Sequence, residues 1–228
     1  MLDLKFHIAM TARNDPFLMG LISRRKERPW NQRRLLRPGD DLLIDGFPRS
    51  ANTFATYAFE AAQPKRLKVG NHLHSPAQFK IASRNRIPAM LVVREPVASI
   101  VSYMLYRPEI GAREGLMRYI AFHKPLHRIR DSFVVAPFKE IVNDFALSID
   151  RLNHRFGTQF ARFHHDEQSA RDILNKIDND RQRRWEIEKT AVVLPTLNKT
   201  QAQEIVESKE LRGLLDGARE QFERICQS

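Results

Sequence analysis

The chain predicts an α/β fold: three layers, with a mainly parallel central sheet flanked by helices. Three observations predict it. Short apolar runs alternate with stretches of helical spacing over residues 41–157. Prolines stand where helices should open, directly after extended segments. Short buried strands separated by helices imply parallel pairing with both sheet faces covered. In order, DLLIDGF (41–47) is a buried strand ending in a glycine turn, and TFATYAFEAA (53–62) follows with helical spacing. RLKVGNHL (66–73) is a second strand, and Pro76 opens the helix PAQFKIASRN. PAMLVVRE (88–95) is the clearest strand, with Pro96 opening PVASIVSYMLY. SFVVAPF (132–138) is a fourth strand, and the helix KEIVNDFALSIDRLNHRF then stops at Gly157. From about residue 166 the pattern is helical and polar, broken near Pro195.

With 228 residues, 42% of them apolar, the chain forms one domain with a sizeable core. Residues 1–40 read as a basic lead-in and residues 166–228 as a helical C-terminal part. The single cysteine, Cys226, excludes an intrachain disulfide and points to a reducing compartment. No apolar run reaches the roughly 20 residues a membrane span needs, and the first residues lack the apolar core of a secretory signal. The expectation is a soluble cytoplasmic protein. Against 27 acidic residues stand 38 basic ones, for a net charge of +11. That excess suits polyanionic partners or simply a solvated basic surface. Its densest stretch is SRRKERPWNQRRLLRPGD (23–40), which includes Trp30.

The candidate sites follow strands. In parallel sheets ligands bind beyond the carboxyl ends of the strands, and GFPRSANT, NHLH and REP all follow such ends. A magnesium–nucleotide loop needs G-x-x-x-x-G-K-[ST]. Aligned on Gly46, this chain offers Ala51, Asn52 and Thr53 in the last three places, so the hydroxyl is kept while glycine and lysine are lost. A cation, Arg49, sits near the apex instead. The following helix N-terminus, with its free N–H groups and positive dipole end, suits a phosphate or sulfate. The alternative is an ordinary turn in which Asn52 caps the helix and Arg49 faces water. Further on, Arg94 ends a strand and Ser102 follows eight residues later. An arginine there can clamp a phosphate with paired N–H donors, or pair with Glu95.

These two stretches together resemble the P-loop sulfotransferases, which use 3′-phosphoadenosine-5′-phosphosulfate (PAPS). GFPRSANTF is similar to their 5′-phosphosulfate loop, VVREPVASIVSY to their 3′-phosphate motif, and the similarity runs over about residues 40–160. The resemblance implies a P-loop-like nucleotide-binding fold and transfer of a sulfuryl group from PAPS to a hydroxyl or amine, releasing 3′,5′-ADP. It implies that Arg49 serves near the sulfuryl group, that Ser50, Ala51, Asn52 and Thr53 supply donors, and that Phe54 sits near the adenine. Arg94 and Ser102 would hold the 3′-phosphate. Two departures stand in the loop: Arg49 replaces a lysine, exchanging a point charge for a planar fork, and Ala51 replaces a glycine. The family's C-terminal Arg-Lys-Gly element has no match; Arg183, Arg184, Lys189 and Lys199 are the candidates to replace it.

Sulfuryl transfer to a hydroxyl needs a base, and histidine suits neutral pH. KVGNHLHSP offers His72 and His74, which would face the same way in an extended strand. The family's histidine lies on the segment between its two anion motifs, a place that His72 fits best and His74 nearly as well. A His-x-His pair can also ligate metal, but no third ligand stands nearby and the family uses none. His164 and His165 read as a surface loop. Two other functions are open: a basic nucleic-acid-binding protein using the 23–37 cluster, although no such motif is present, and a P-loop kinase-like nucleotide binder. The acceptor is open among small molecules, glycans and lipids.

Overall fold

A computed structural model of the protein describes residues 2–24, 35–188 and 197–227. The N-terminal lead-in begins as two helices, α1 (Leu2–Asn14) and α2 (Pro16–Arg24). Asp15 joins them, its carboxylate accepting from the N–H groups of Phe17 and Leu18 and so capping α2. Residues 25–34 of the basic cluster, Trp30 included, lie outside the described residues, as does the break near Pro195.

The four apolar runs form four strands. β1 (Leu42–Gly46) leads into α3 (Asn52–Ala62), and β2 (Val69–Asn71) into α4 (Pro76–Asn85). β3 (Ala89–Val93) leads into α5 (Pro96–Tyr106) and α6 (Ala112–His123), and a 3-10 segment, Lys124–Ser132, returns the chain to β4 (Val134–Pro137). The strands lie in the order β2-β1-β3-β4, all parallel, with Ile44 opposite both Asn71 and Met90.

Two expectations are corrected here. The strand expected at 66–73 is only three residues long, because the backbone turns left-handed at His72 and His74 (φ 55° and 50°). The long helix expected after β4 is two: α7 (Phe138–Asn143) and α8 (Phe145–Phe156), parted at Asp144 (φ −155°, ψ 80°). Gly157 ends α8 at φ 65°, as expected of a glycine helix stop. Beyond it come α9 (Glu167–Glu188), α10 (Lys199–Val206), started by an Asn198–Gln201 capping box, and α11 (Arg212–Cys226).

Alternation along the strands divides the core in two. Leu43, Leu91 and Val93 pack beneath α4, α5, α6, α10 and α11. Leu42, Ile44, Met90 and Val92 pack beneath α3, α8 and α9. The result is helix, sheet, helix. β1 leaves the sheet through α3 on one face and β3 through α5 on the other, so a crevice opens between their carboxyl ends.

Candidate functional site: an arginine-lined loop at the end of β1

The loop at 46–51 starts where only glycine fits. A Cβ on Gly46 would stand 2.1 Å from the Val92 carbonyl oxygen of the neighbouring strand. The Asn52 amide donates to the Phe47 carbonyl at 2.8 Å, folding the loop over itself. Asn52 therefore does not cap α3; the capping position is Ala51, which offers no side-chain acceptor. The first N–H groups of α3 thus keep the free positions typical of a helix start. Arg49 and Ala51 both take positive φ, 69° and 73°. Non-glycine residues adopt that region at a cost, and such strain gathers at functional sites. Ala51 holds a glycine's conformation without being one.

Polar atoms are buried here with nothing to bond. Ser50 and Asn52 are 0% and 4% exposed, and Ser50 Oγ and Asn52 Oδ1 have no hydrogen-bond partner among the described residues. Leaving such a group unmade costs on the order of 1–3 kcal/mol, a cost a bound ligand can remove.

The arginines converge across the crevice. Arg49 donates from Nε to Ser102 Oγ at 3.1 Å, and its guanidinium lies over the Tyr106 ring at 4.6 Å. Arg94, at the end of β3, donates to the Arg49 carbonyl at 3.0 Å and stacks on Phe138 at 4.2 Å. Tyr119 and Ser99 donate to the Arg94 carbonyl at 2.8 and 3.3 Å, fixing the strand end. Glu95 does not neutralise Arg94; its carboxylate accepts from Val97 N and Ala98 N and caps α5. Both arginines are half-buried, and among the described residues neither has a carboxylate within ion-pair distance. Burial is the main cause lowering the pKa of each; for Arg49 the charges of Arg181 and Arg94 act in the same direction. Two desolvated cations held together want an anion between them.

The two histidines part company. His72 Nε2 and Thr53 Oγ1 are hydrogen-bonded at 3.0 Å. His74 has a different partner set. Its Nδ1 stands 2.7 Å from the Gly46 carbonyl, which can only accept, so Nδ1 carries the proton. The same nitrogen is 3.3 Å from Asp45 Oδ1, and the His74 backbone N–H donates to Asp45 Oδ2 at 2.9 Å. Neutral His74 therefore keeps its lone pair on Nε2. The rings lie 5.9 Å apart. They meet through left-handed backbone at both residues, not through the extended strand expected of them.

Asp45 went unrecognised in the sequence. It is fully buried, and Gln78 and the Gly46 N–H also donate to it, at 3.1 and 2.9 Å. Burial would raise its pKa, but the hydrogen bond and charge of His74, the charge of His72 and the Gln78 amide outweigh it and hold the carboxyl below its ordinary value. A lone acid in an otherwise apolar strand, LLIDG, was the available signal. Arg181 on α9 was missed too, because only packing of α9 on α3 brings it near Arg49.

Beside His74 a shallow hollow opens to solvent, walled by Phe47, Pro48, Tyr103, Arg118 and, from α1, Met10 and Arg13. Phe54 is buried edge-on against Phe163 at 6.2 Å and lies near His165. His164 is exposed. Of the candidates for a C-terminal cation, Arg183 and Lys199 are exposed on the surface, Arg184 stands on α9, and Lys189 lies outside the described residues. Among the described residues no three His, Cys, Asp or Glu side chains gather in a way that could hold a metal ion, and no helix is long and apolar enough to cross a membrane. Compared with known proteins, the chain matches no protein-family model and no curated sequence.

Proposed function

We propose that the crevice binds PAPS and that the protein transfers its sulfuryl group to an acceptor hydroxyl. The observation that carries this reading is the pair of half-buried arginines, Arg49 and Arg94, meeting without a carboxylate beside the uncapped start of α3. The buried, unbonded Ser50 Oγ in the same loop supports an anionic ligand. Thr53 supports a phosphosulfate over a magnesium triphosphate, because its hydroxyl, the would-be metal ligand, is engaged by His72.

PAPS, when bound, supplies an activated sulfuryl group and leaves as 3′,5′-ADP. Arg49, the loop amides and Ser50 would hold the phosphosulfate end; Arg94, with Ser102, would hold the 3′-phosphate; Arg181, on α9, would add charge near Arg49. His74 acts as base. Its Nε2 takes the acceptor's proton as the acceptor oxygen bonds to sulfur, and Asp45 orients the ring and stabilises the imidazolium that results. Arg49 and the loop amides stabilise the charge that develops on the departing phosphate. The hollow beside His74 is where the acceptor would lie.

The test is a thermal-shift titration with 3′,5′-ADP, set against 5′-AMP and against ATP with magnesium. A ligand that binds only the folded protein raises its melting temperature by mass action. Selective stabilisation by 3′,5′-ADP, abolished by Arg49→Ala and by Arg94→Ala, is the expected result. A larger shift with magnesium–ATP, or none with 3′,5′-ADP, overturns the reading.

A further inference from the structure

The hollow beside His74 combines two kinds of side chain. Its walls are mainly Phe47, Tyr103 and Phe122, with Met10 from α1, and its fixed charges are Arg13 and Arg118. Among the described residues that line it, none is an acid, an amide, a serine or a threonine. The three aromatic rings are buried and meet edge to face, Tyr103 and Phe122 lying 5.8 and 6.1 Å from Phe47 between centroids. That wall is rigid.

The arginines are held close to the base. Ser75, the residue after His74, donates from Oγ to the Arg13 carbonyl, and Lys80 donates to the Asn14 carbonyl at 2.9 Å. The end of α1 is therefore tied to the segment that carries His74. Arg118 stands on α6, which packs against α1. It bonds one carboxylate oxygen of Glu114, a turn earlier on its own helix, through Nε at 2.7 Å and Nη2 at 2.6 Å. A guanidinium carries more N–H donors than one carboxylate oxygen engages, so this pairing leaves donors for a second anion. Arg13 and Arg118, set against Glu114 alone, leave the hollow positive.

We infer that the acceptor is a compact hydroxy acid: a hydroxyl on an apolar body, with an anionic group, most simply a carboxylate, at its other end. The inference rests on the sulfuryl-transfer reading, whose acceptor it names. The hydroxyl points to His74 Nε2, the body lies along the aromatic wall, and the anionic group meets Arg13 and Arg118. The hydroxyl oxygen bonds to sulfur as the bond from sulfur to the phosphate oxygen of PAPS breaks, and its proton passes to Nε2. Small-molecule sites pair apolar walls with a few placed polar groups in this way, and a guanidinium fork suits a carboxylate. A glycan would set its hydroxyls against apolar walls that offer them few partners, at a cost in affinity. A long-chain alcohol would cover the arginines without giving them a counter-charge. The volume, about 350 Å³ with the open mouth, suits a ring with a short side chain.

The experiment is a thermal-shift titration of the full chain, with and without 3′,5′-ADP. The probes are 4-hydroxybenzoate, 4-hydroxyphenylacetate and 3-(4-hydroxyphenyl)propionate, the methyl ester of each, and N-acetylglucosamine. The best acid should bind about tenfold tighter than its ester, the size of one charge-assisted hydrogen bond, and tighter than the sugar. Arg13→Gln and Arg118→Gln should each shrink that preference about fivefold or more, with the 3′,5′-ADP shift as large as in the parent. Met10→Trp, which fills the hollow, should weaken acid and ester alike. An ester or the sugar binding as tightly as the best acid overturns the inference, and so does a preference for the acid that survives both arginine substitutions. A shift with 3′,5′-ADP but none with any acid overturns this inference alone. Acid binding without a 3′,5′-ADP shift overturns the transfer reading and leaves the hydroxy acid as the ligand of the hollow.

Discussion

The carboxyl end of β1 and the outer face of α1 and α2 break the same rule in opposite directions. At the first, polar groups are buried: Asp45 wholly, Ser50 Oγ and Asn52 Oδ1 without partners, two arginines without a carboxylate. At the second, apolar groups stand in water. Elsewhere among the described residues large apolar side chains are mostly buried, though single buried polar groups such as His123 also occur. Each departure costs free energy in the isolated chain, and a partner of matching chemistry would relieve it. The first asks for an anion, the second for a greasy surface. They differ in rigidity as well. The loop is held by strained backbone and a glycine without spare room, whereas the helices would keep their fold with any outward side chain. Substitutions at the two places should therefore behave differently.

Gly46→Ala should be the most damaging. Its new methyl meets the Val92 carbonyl oxygen, which belongs to a central strand and cannot yield, so a loss of about 4 kcal/mol or failure to fold is expected in urea denaturation. A variant as stable as the parent would show that the loop is not tightly held.

Asp45→Asn comes next and separates chemistry from architecture. Without the carboxylate, His74 is neither oriented nor stabilised as a cation, and sulfuryl transfer should fall about 100-fold, with 3′,5′-ADP binding retained. Stability should respond to acid as well. Because the folded carboxyl titrates below its ordinary range, its contribution is present above the unfolded pKa and is lost as pH falls through the folded one. The parent should lose that stability on acidification and the variant should not, which melting temperatures across an acid series would reveal. Equal losses on replacing His72 and His74 would erase the distinction between the two rings.

A smaller effect of the opposite sign is expected from Ala51→Gly. At φ 73° the alanine is strained, and glycine should stabilise the fold by about 1 kcal/mol. A melting temperature below the parent's would mean that unfolded-state entropy outweighs the strain. The least effect on stability, within about 0.5 kcal/mol, belongs to Phe17→Glu/Leu21→Glu, because both side chains stand in water. A large loss of stability would show that those side chains are structural after all.

The sheet was readable because its strands are short, apolar and punctuated: LLID before a glycine turn and PAMLVV before a proline both fold as expected. That the loop after β1 and Arg94 would share one edge followed from parallel topology, which brings strand ends together; the direct bond from Arg49 to Ser102, inside α5, did not. What escaped the sequence was decided by torsion or by distant packing. Nothing in NHLH announces left-handed backbone at two histidines. The break at Asp144 sits inside a run that reads as one helix. Asp45 becomes meaningful only when His74, 29 residues later, folds back on it, and Arg181 only when α9 lies across α3.

The closing of the core by α10 and α11 has a consequence for synthesis. Leu215, Ala218 and Ile225 belong to the cluster beneath which Leu43, Leu91 and Val93 lie, and these last helices pack on α5 and α6. A nascent chain that has released all four strands still lacks the lid over one sheet face. That face stays open to misassociation, and to chaperones that bind exposed apolar chain, until the residues around Ile225 leave the ribosome. Completion of this sheet face is thus set by α11 and not by the strands themselves.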